Sequence, residues 1–220
     1  MSPLDRLMKS MHAPVYRSRL RGLVPMIAKH LRPGDRLLDV GCGSGLLAAA
    51  LAEHRPDVTV HGVETNVRPD AAVEVTAYDG RTLPFPDGAF DAVLVADVLH
   101  HDPNPVAVLA ECRRVTRRLV IVKDHKPDGP FWSLPYRRVC LMDWAANRQY
   151  GIPCRYEYPT LDGWHERFAQ AGLGVSSERT RLQLYPPPYR WFFTPRLQYL
   201  AVLAADGIEP VLADGVSVGP

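Results

Sequence analysis

The chain has 220 residues, of which 46% are hydrophobic, and its formal net charge is +2. This length suits one domain with a full-sized core, and the small net charge argues against a strong nucleic-acid binder. The four cysteines show no paired spacing, and no apolar run reaches the ~18 residues that a membrane span needs. We therefore expect a reduced, cytoplasmic protein with no secretory signal and no membrane span.

The N-terminal segment is predicted to be helical. Apolar residues recur at spacings of three and four from Asp5 to Leu31, while Pro14 and Pro25 are expected to break or kink the helix. Lys and Arg outnumber acids by seven to one in the first 34 residues. Such a bias is typical of a solvated helix face, and attraction to an acidic acceptor or a membrane surface is the alternative.

The next segment combines a strand, a glycine turn and a helix. A buried strand over residues 37–40 is followed by three glycines in five residues and by an apolar helical run over 46–51. Glycines at such a turn let the backbone approach a nucleotide-like ligand, because side chains there would block it. The residues of this turn that we expect to contact a ligand are Asp39, Gly41, Gly43 and Gly45.

A second acidic residue follows about 20 residues after the glycines. The predicted strand over 58–64 ends in Glu64, whose carboxylate could accept both ribose hydroxyls of an adenosine cofactor. A third strand is predicted over 73–78, and the short crossover before it leaves no room for the usual helix. Asp79 and Gly80 come directly after that strand.

Strands four and five, predicted over 91–97 and 119–125, are almost continuously apolar, as expected of buried parallel strands. Polar residues follow both of them. Because the carboxyl ends of parallel strands meet at one edge of the sheet, these residues should line a cleft. No His-x-x-x-His or similar ligand spacing is present, so no metal is expected. The residues at this edge are Asp97, Val98, His100, His101 and His125.

Residues 126–159 are rich in proline, aromatic residues and arginine and show little periodicity. Inserted after strand five, they are expected to form a lid over the cleft and to contact a substrate. The last loop is expected to contribute to the same pocket. The candidate substrate-binding residues are Trp144, Asn147, Tyr156, Tyr158, Tyr189 and Trp191.

The C-terminal part is predicted to complete the sheet. Thr160 is a plausible N-cap for a helix that Gly172 ends, and two further strands are predicted over 175–185 and 197–204. Residues 207–220 have the composition of a flexible tail. A single domain over 1–206 is expected.

Taken in chain order, the glycine turn and the acidic residues that follow the strands resemble the sequence motifs of the class I S-adenosylmethionine (SAM)-dependent methyltransferases, over about residues 31–204. The segment Pro84 to Asp91 adds to the match. The resemblance implies an α/β fold: a doubly wound Rossmann-like seven-stranded sheet with an antiparallel last strand, an N-terminal helix and an inserted lid. It also implies SAM as cofactor, S-adenosylhomocysteine as product, and the following cofactor-binding residues: Asp39, Gly41, Gly43, Gly45, Glu64, Asp79, Gly80, Asp97 and Val98.

What the resemblance implies is methyl transfer to a small-molecule acceptor. We expect an oxygen nucleophile whose proton is taken by a histidine at the cleft edge, because histidine is suited to that role near neutral pH. His101 is favoured because it lies one residue deeper in the loop, and His100 and His125 are the other candidates. An N- or C-methyltransferase of a small molecule, lipid or quinone is the alternative.

Two further alternatives belong to other classes. An NAD-dependent oxidoreductase would share the glycine turn and Glu64, but the third glycine of Gly-x-Gly-x-x-Gly is missing here. A non-catalytic methyltransferase-like partner protein would not need intact cofactor stations. The expected ligands are therefore SAM and a small molecule, with no nucleic acid and no metal.

Overall fold

The computed structural model describes residues 3–126, 133–147, 155–187, 189–192 and 194–205. The helices are α1 (Pro3–Ala28), α2 (Leu46–His54), α3 (Pro105–Val115), α4 (Leu134–Asn147), α5 (Leu161–Gln170) and α6 (Tyr189–Phe192). The strands are β1 (Arg36–Val40), β2 (Thr59–Glu64), β3 (Val75–Ala77), β4 (Phe90–Ala96), β5 (Thr116–His125), β6 (Leu173–Arg179) and β7 (Gln198–Ala205).

The seven strands form one sheet in the order β3-β2-β1-β4-β5-β7-β6. The pairs from β3 to β5 are parallel, whereas β7 is antiparallel to both β5 and β6. The predicted doubly wound α/β sheet with an antiparallel last strand is therefore confirmed. β1 lies near the centre, where Asp39 is paired with Gly62 of β2 and Leu94 of β4.

The sheet is covered on both faces because successive side chains of a strand point to opposite sides. Leu37 of β1 packs in a cluster with Ile27 of α1, while the next residue, Leu38, packs with Leu109 of α3 and Trp164 of α5. All five side chains are fully buried. Burial of each such side chain stabilises the fold by about 1.5–3 kcal/mol.

Helix α1 is continuous through Pro14 and Pro25, so the predicted break is wrong. A proline inside a helix costs about 3 kcal/mol. The complete burial of Leu23 and Ile27 against the sheet offsets a cost of that size, at about 1.5–3 kcal/mol for each side chain. Among the described residues, no helix is both long and apolar enough to cross a membrane.

The edge strands differ from their predicted bounds. β3 has only three residues, Val75–Ala77, and β6 covers Leu173–Arg179 rather than 175–185. The crossover over 65–74 holds no helix, as its length predicted. Beyond Arg179 the alternation continues, since Leu182 and Leu184 are buried, but the pairing of β6 with β7 stops at Arg179. The extent of strand pairing is hard to place from sequence alone.

Helix α4 lies within the segment that was expected to be irregular, and that expectation is wrong for residues 134–147. Residues 127–132 and 148–154 of the predicted lid, and the predicted tail 207–220, lie outside the described residues. Helix α5 begins as predicted, since Gly163 N donates to Thr160 Oγ1 at 3.2 Å. Gly172, at φ 68°, follows its last turn.

A test of the sheet packing compares two glycines. A Cβ added at Gly62 in β2 would lie 2.7 Å from Cys42 Sγ and 3.1 Å from Val75 Cγ2. We expect Gly62→Ala to lower the free energy of unfolding by about 1–3 kcal/mol through overpacking. Urea denaturation measures it.

The matched control is Gly163→Ala, because a Cβ there would meet nothing closer than 3.4 Å. This change in the first turn of α5 should be neutral or stabilise by about 0.4–1 kcal/mol. Equal unfolding free energies for the two variants would contradict the packing described at Gly62.

Candidate active site

The glycine turn after β1 requires residues without side chains. Gly41, Gly43 and Gly45 have φ values of 69°, 58° and 71°, in the left-handed region that favours glycine. A Cβ at Gly41 would lie 2.5 Å from Val98 Cγ2, whereas at Gly43 the nearest atom is Arg68 Nη2 at 3.6 Å. Val98 therefore packs directly against Gly41, whereas the space next to Gly43 is open for a ligand.

Glu64 ends β2 with its carboxylate directed at this turn. Its Oε2 accepts a hydrogen bond from Gly43 N at 2.9 Å. Its Oε1 accepts from Thr65 N at 2.7 Å and from Asn66 N at 3.3 Å. These backbone donors fix the orientation of the carboxylate. A carboxylate has about four acceptor positions, so a ligand can still donate to Oε2.

Asp79 and Gly80 form a turn after β3. Asp79 Oδ1 accepts from Arg81 N at 2.8 Å and from Thr82 N at 2.9 Å. These backbone hydrogen bonds lower the pKa of the exposed Asp79 carboxyl. Gly80 has φ 79°. The site is thus an exposed carboxylate held at the same edge of the sheet as Glu64.

Asp39 lies below the glycine turn and is 2% exposed. Burial raises the pKa of its carboxyl to about 7, although the charge of Arg19 opposes that shift. Arg19 comes from α1, and sequence analysis did not identify it. The N-terminal helix therefore supplies a cation to the carboxyl edge of the sheet.

Asp97 follows β4 in the left-handed conformation, at φ 58°. Its carboxylate forms ion pairs with Arg19 and with Lys123, a fully buried residue of β5. Burial alone would raise the pKa of Asp97, but the charges of Lys123 and Arg19 outweigh burial and hold that pKa well below its usual range. Much of the hydrogen-bonding capacity of this predicted cofactor ligand is thus used within the protein.

The three histidines at the edge have different surroundings. His100 is 2% exposed, and its Nδ1 lies 2.6 Å from Asp124 Oδ1. Burial alone would lower the pKa of His100, but Asp124 and Asp143 outweigh it and raise that pKa to about 10. For His125, burial and the charge of Lys123 lower the pKa to about 4. The surroundings thus favour the charged form of His100 and the neutral form of His125.

His101 is the most exposed of the three, with 15% of its side chain accessible. Its Nε2 lies 3.3 Å from Asp143 Oδ1, the atom that also lies 3.3 Å from His100 Nε2. The hydroxyl of Tyr158 donates to Asp143 Oδ2 at 2.8 Å. Asp143 of α4 thus joins both histidines to Tyr158. Sequence analysis missed Asp143, although its neighbour Trp144 was predicted to line the site.

The predicted substrate-binding residues are only partly brought together. Tyr158 is buried beside the histidines, whereas Trp144 and Trp191 are 42% and 73% exposed. Tyr189 is also exposed, and Arg138 of α4 donates to the Trp191 carbonyl at 3.2 Å. The Tyr156 carbonyl accepts from the Tyr136 hydroxyl.

Asn147 ends α4, and its side chain lies outside what the structure describes. The hydrogen bond from Arg138 to the Trp191 carbonyl joins α4 to α6.

Residues 38–121 match a family model described as a methyltransferase domain. The 27-O-demethylrifamycin SV methyltransferase of Amycolatopsis mediterranei is 36% identical over 112 residues, which are 45% of this chain and 39% of the relative. The chain thus matches about two-fifths of that relative. The 2-phytyl-1,4-naphtoquinone methyltransferase of Synechococcus elongatus is 31% identical over 162 residues, covering 66% of this chain and 69% of the relative.

A solved SAM-dependent methyltransferase from Aquifex aeolicus has the same fold, with a TM-score of 0.61 at 16% identity. The match covers 93% of this chain and 98% of that one. The relative that is covered over more than two-thirds of its length carries the assignment beyond fold. On this evidence, the chain belongs to the class I SAM-dependent methyltransferase superfamily.

Proposed function

We propose that this chain binds SAM and transfers its methyl group to an oxygen atom of a small-molecule acceptor. The observation that carries the proposal is the Glu64 carboxylate, which is fixed beside Gly43 at the carboxyl edge of the sheet. An acid at the end of the second strand is suited to the two ribose hydroxyls of an adenosine cofactor. The family to which the chain belongs supports SAM as that cofactor.

The residues around the glycine turn fit such a cofactor. Gly43 leaves the space that a side chain would fill, and Glu64 keeps acceptor capacity on Oε2. We assign Asp79, exposed after β3, to the adenine end, and Asp39, buried at the end of β1, to the amino-acid end. The remaining proposed contacts come from Gly41, Gly45, Gly80, Asp97 and Val98.

Bound SAM supplies an electrophilic methyl group on a sulfonium, so the protein has little covalent chemistry to perform. Its task is to align the acceptor behind that methyl and to exclude water. Alignment of two reactants in this way can lower a barrier by about 7–11 kcal/mol. The cleft edge, with α4 and the Tyr158 ring beside it, is the part of the chain that we assign to this alignment.

We propose that His101 is the general base that takes the proton of the acceptor hydroxyl. His100 is buried, with both ring nitrogens next to carboxylates, and His125 is buried with its Nδ1 3.4 Å from the Leu197 carbonyl. His101 is the more exposed ring, and Asp143 lies beside its Nε2. A carboxylate in that position orients the ring, which is what a general base requires.

The acceptor is proposed to contact aromatic side chains of the lid and the last loop. These are Trp144, Asn147, Tyr156, Tyr158, Tyr189 and Trp191. One relative is named for methylation of an oxygen and another for a phytylated naphthoquinone, so hydroxylated aromatic compounds and quinols form the first acceptor panel. Compounds that raise the melting temperature in the presence of S-adenosylhomocysteine identify the acceptor class, because ligands that bind the folded state stabilise it. A small-molecule pathway in the cytoplasm is part of the same proposal.

Replacement of Glu64 tests the cofactor site. Loss of a charge-assisted hydrogen bond to the ribose should cost about 1.5–3 kcal/mol, so Glu64→Ala should bind SAM more than tenfold more weakly. Glu64→Gln keeps the size and removes the charge, and it should lose affinity in the same direction. Isothermal titration calorimetry measures both.

The matched control is Glu74→Ala. Glu74 directly precedes the edge strand β3, and 86% of its side chain is exposed. SAM affinity should be unchanged in this variant. Unchanged affinity in both Glu64 variants would remove the basis for the cofactor assignment.

Replacement of His101 tests the proposed base. His101→Gln should slow single-turnover methyl transfer about 100- to 10,000-fold, while SAM affinity stays within a few-fold of the wild type. His165→Gln is the control, because His165 is an exposed residue of α5 that pairs with Glu178. A near wild-type rate in His101→Gln would mean that alignment alone suffices, and a nitrogen or carbon acceptor would become the better assignment.

A further inference from the structure

Three side chains with metal-binding atoms meet at the carboxyl edge of the sheet. His100 and His101 follow β4, and Asp143 lies on α4. One nitrogen or oxygen atom from each of these residues lies within 4.8 Å of the other two. We call these three residues the edge cluster. Two imidazole nitrogens and one carboxylate oxygen are a donor set that suits zinc and similar divalent ions.

Two of the three separations in the edge cluster are close to those between neighbouring ligands of a tetrahedral ion. Zinc binds histidine nitrogen and carboxylate oxygen at about 2.0–2.2 Å, so neighbouring ligand atoms of a tetrahedral ion stand about 3.3–3.6 Å apart. Both Nε2 atoms lie 3.3 Å from Asp143 Oδ1. A charge-assisted hydrogen bond between nitrogen and a carboxylate is shorter, at about 2.7–2.9 Å. The two 3.3 Å separations are long for charge-assisted hydrogen bonds and close to the spacing of two ligands on one ion.

The groups behind the edge cluster are those that hold metal ligands in place. His100 Nδ1 lies 2.6 Å from Asp124 Oδ1, and the Tyr158 hydroxyl donates to Asp143 Oδ2 at 2.8 Å. A metal-binding histidine usually donates its other ring N–H to a carboxylate, which leaves the remaining lone pair for the metal. At His100 the Asp124 carboxylate holds the proton on Nδ1, and an ion that binds Nε2 would displace any proton there into solvent.

The charges also fit a divalent cation. Asp143 and Asp124 supply two negative charges, whereas the buried cations Arg19 and Lys123 are paired with Asp97. Lys123 and Asp124 are successive residues of β5, so their side chains point to opposite faces of the sheet. The absence of a local histidine pattern predicted no metal, but Asp143 is 43 residues from His100 along the chain.

We propose that His100 Nε2, His101 Nε2 and Asp143 Oδ1 bind one divalent cation of the zinc class, with the fourth position open on the exposed side of His101. An ion on Nε2 would leave the ring proton of His101 on Nδ1, so neither nitrogen could then take the acceptor proton, and the ion and the base role exclude each other. Zinc loading should therefore slow methyl transfer to oxygen. Binding itself does not require methyl transfer, so either proposal can fail without the other.

The test is calorimetric titration of zinc into untagged, chelator-treated protein. We expect one zinc per chain, retained after gel filtration and counted by elemental analysis. His101→Gln and Asp143→Asn should weaken binding by at least the 10- to 100-fold typical of lost support at a metal site. Cobalt(II) in place of zinc should give the visible absorption of a tetrahedral ion without a thiolate charge-transfer band.

Two variants serve as controls. Cys140→Ser removes a free thiol on the same helix as Asp143, and His165→Gln removes an exposed imidazole, and both should bind zinc as the wild type does. Circular dichroism melting shows whether each variant is folded. His101 is chosen over His100 because its ring is more exposed, so its replacement disturbs the fold less. The proposal would be overturned if the wild type did not retain zinc, or if His101→Gln and Asp143→Asn bound zinc with wild-type affinity.

Discussion

The Asp143 carboxylate joins the helix of the lid to the carboxyl edge of the sheet. One of its oxygens lies beside both His100 and His101, and the other accepts from Tyr158. Removal of one partner from a buried ion pair costs about 3–5 kcal/mol, because the remaining charge stays buried without compensation. The position of α4 beside the cleft therefore depends on this carboxylate together with the buried Val139, which packs against Tyr158 and Leu197.

Two clusters of charged side chains lie at the carboxyl edge, one on each face of the sheet. Lys123 points to the face where Arg19 of α1 meets Asp97, while Asp124, the next residue, points to the face of His100. The alternation of side chains in β5 produces this separation. One face can thus hold α1 against the sheet, and the other can present an imidazole to an acceptor.

The glycine turn after β1 and the acid at the end of β2 were predictable because each is local. The glycine turn and Glu64 are determined by short sequences at the ends of β1 and β2, where the direction of a parallel strand already fixes the side of the sheet. Asp143 and Arg19 were not predictable in this way. Arg19 meets Asp97 across 78 residues of sequence. No local sequence pattern marks either Asp143 or Arg19 as part of the site. The continuous helix through Pro14 was missed for a related reason, since burial elsewhere in α1 decides it.

Methyl transfer from SAM to an acceptor oxygen is the central claim, and the position of a labelled methyl group tests it most directly. The chain would be incubated with SAM carrying a deuterated methyl group and with an acceptor that stabilises it in the presence of S-adenosylhomocysteine. The account predicts one deuterated methyl ether per S-adenosylhomocysteine formed, located by tandem mass spectrometry and nuclear magnetic resonance. A label on carbon or nitrogen, or an unchanged acceptor with no S-adenosylhomocysteine, would contradict it.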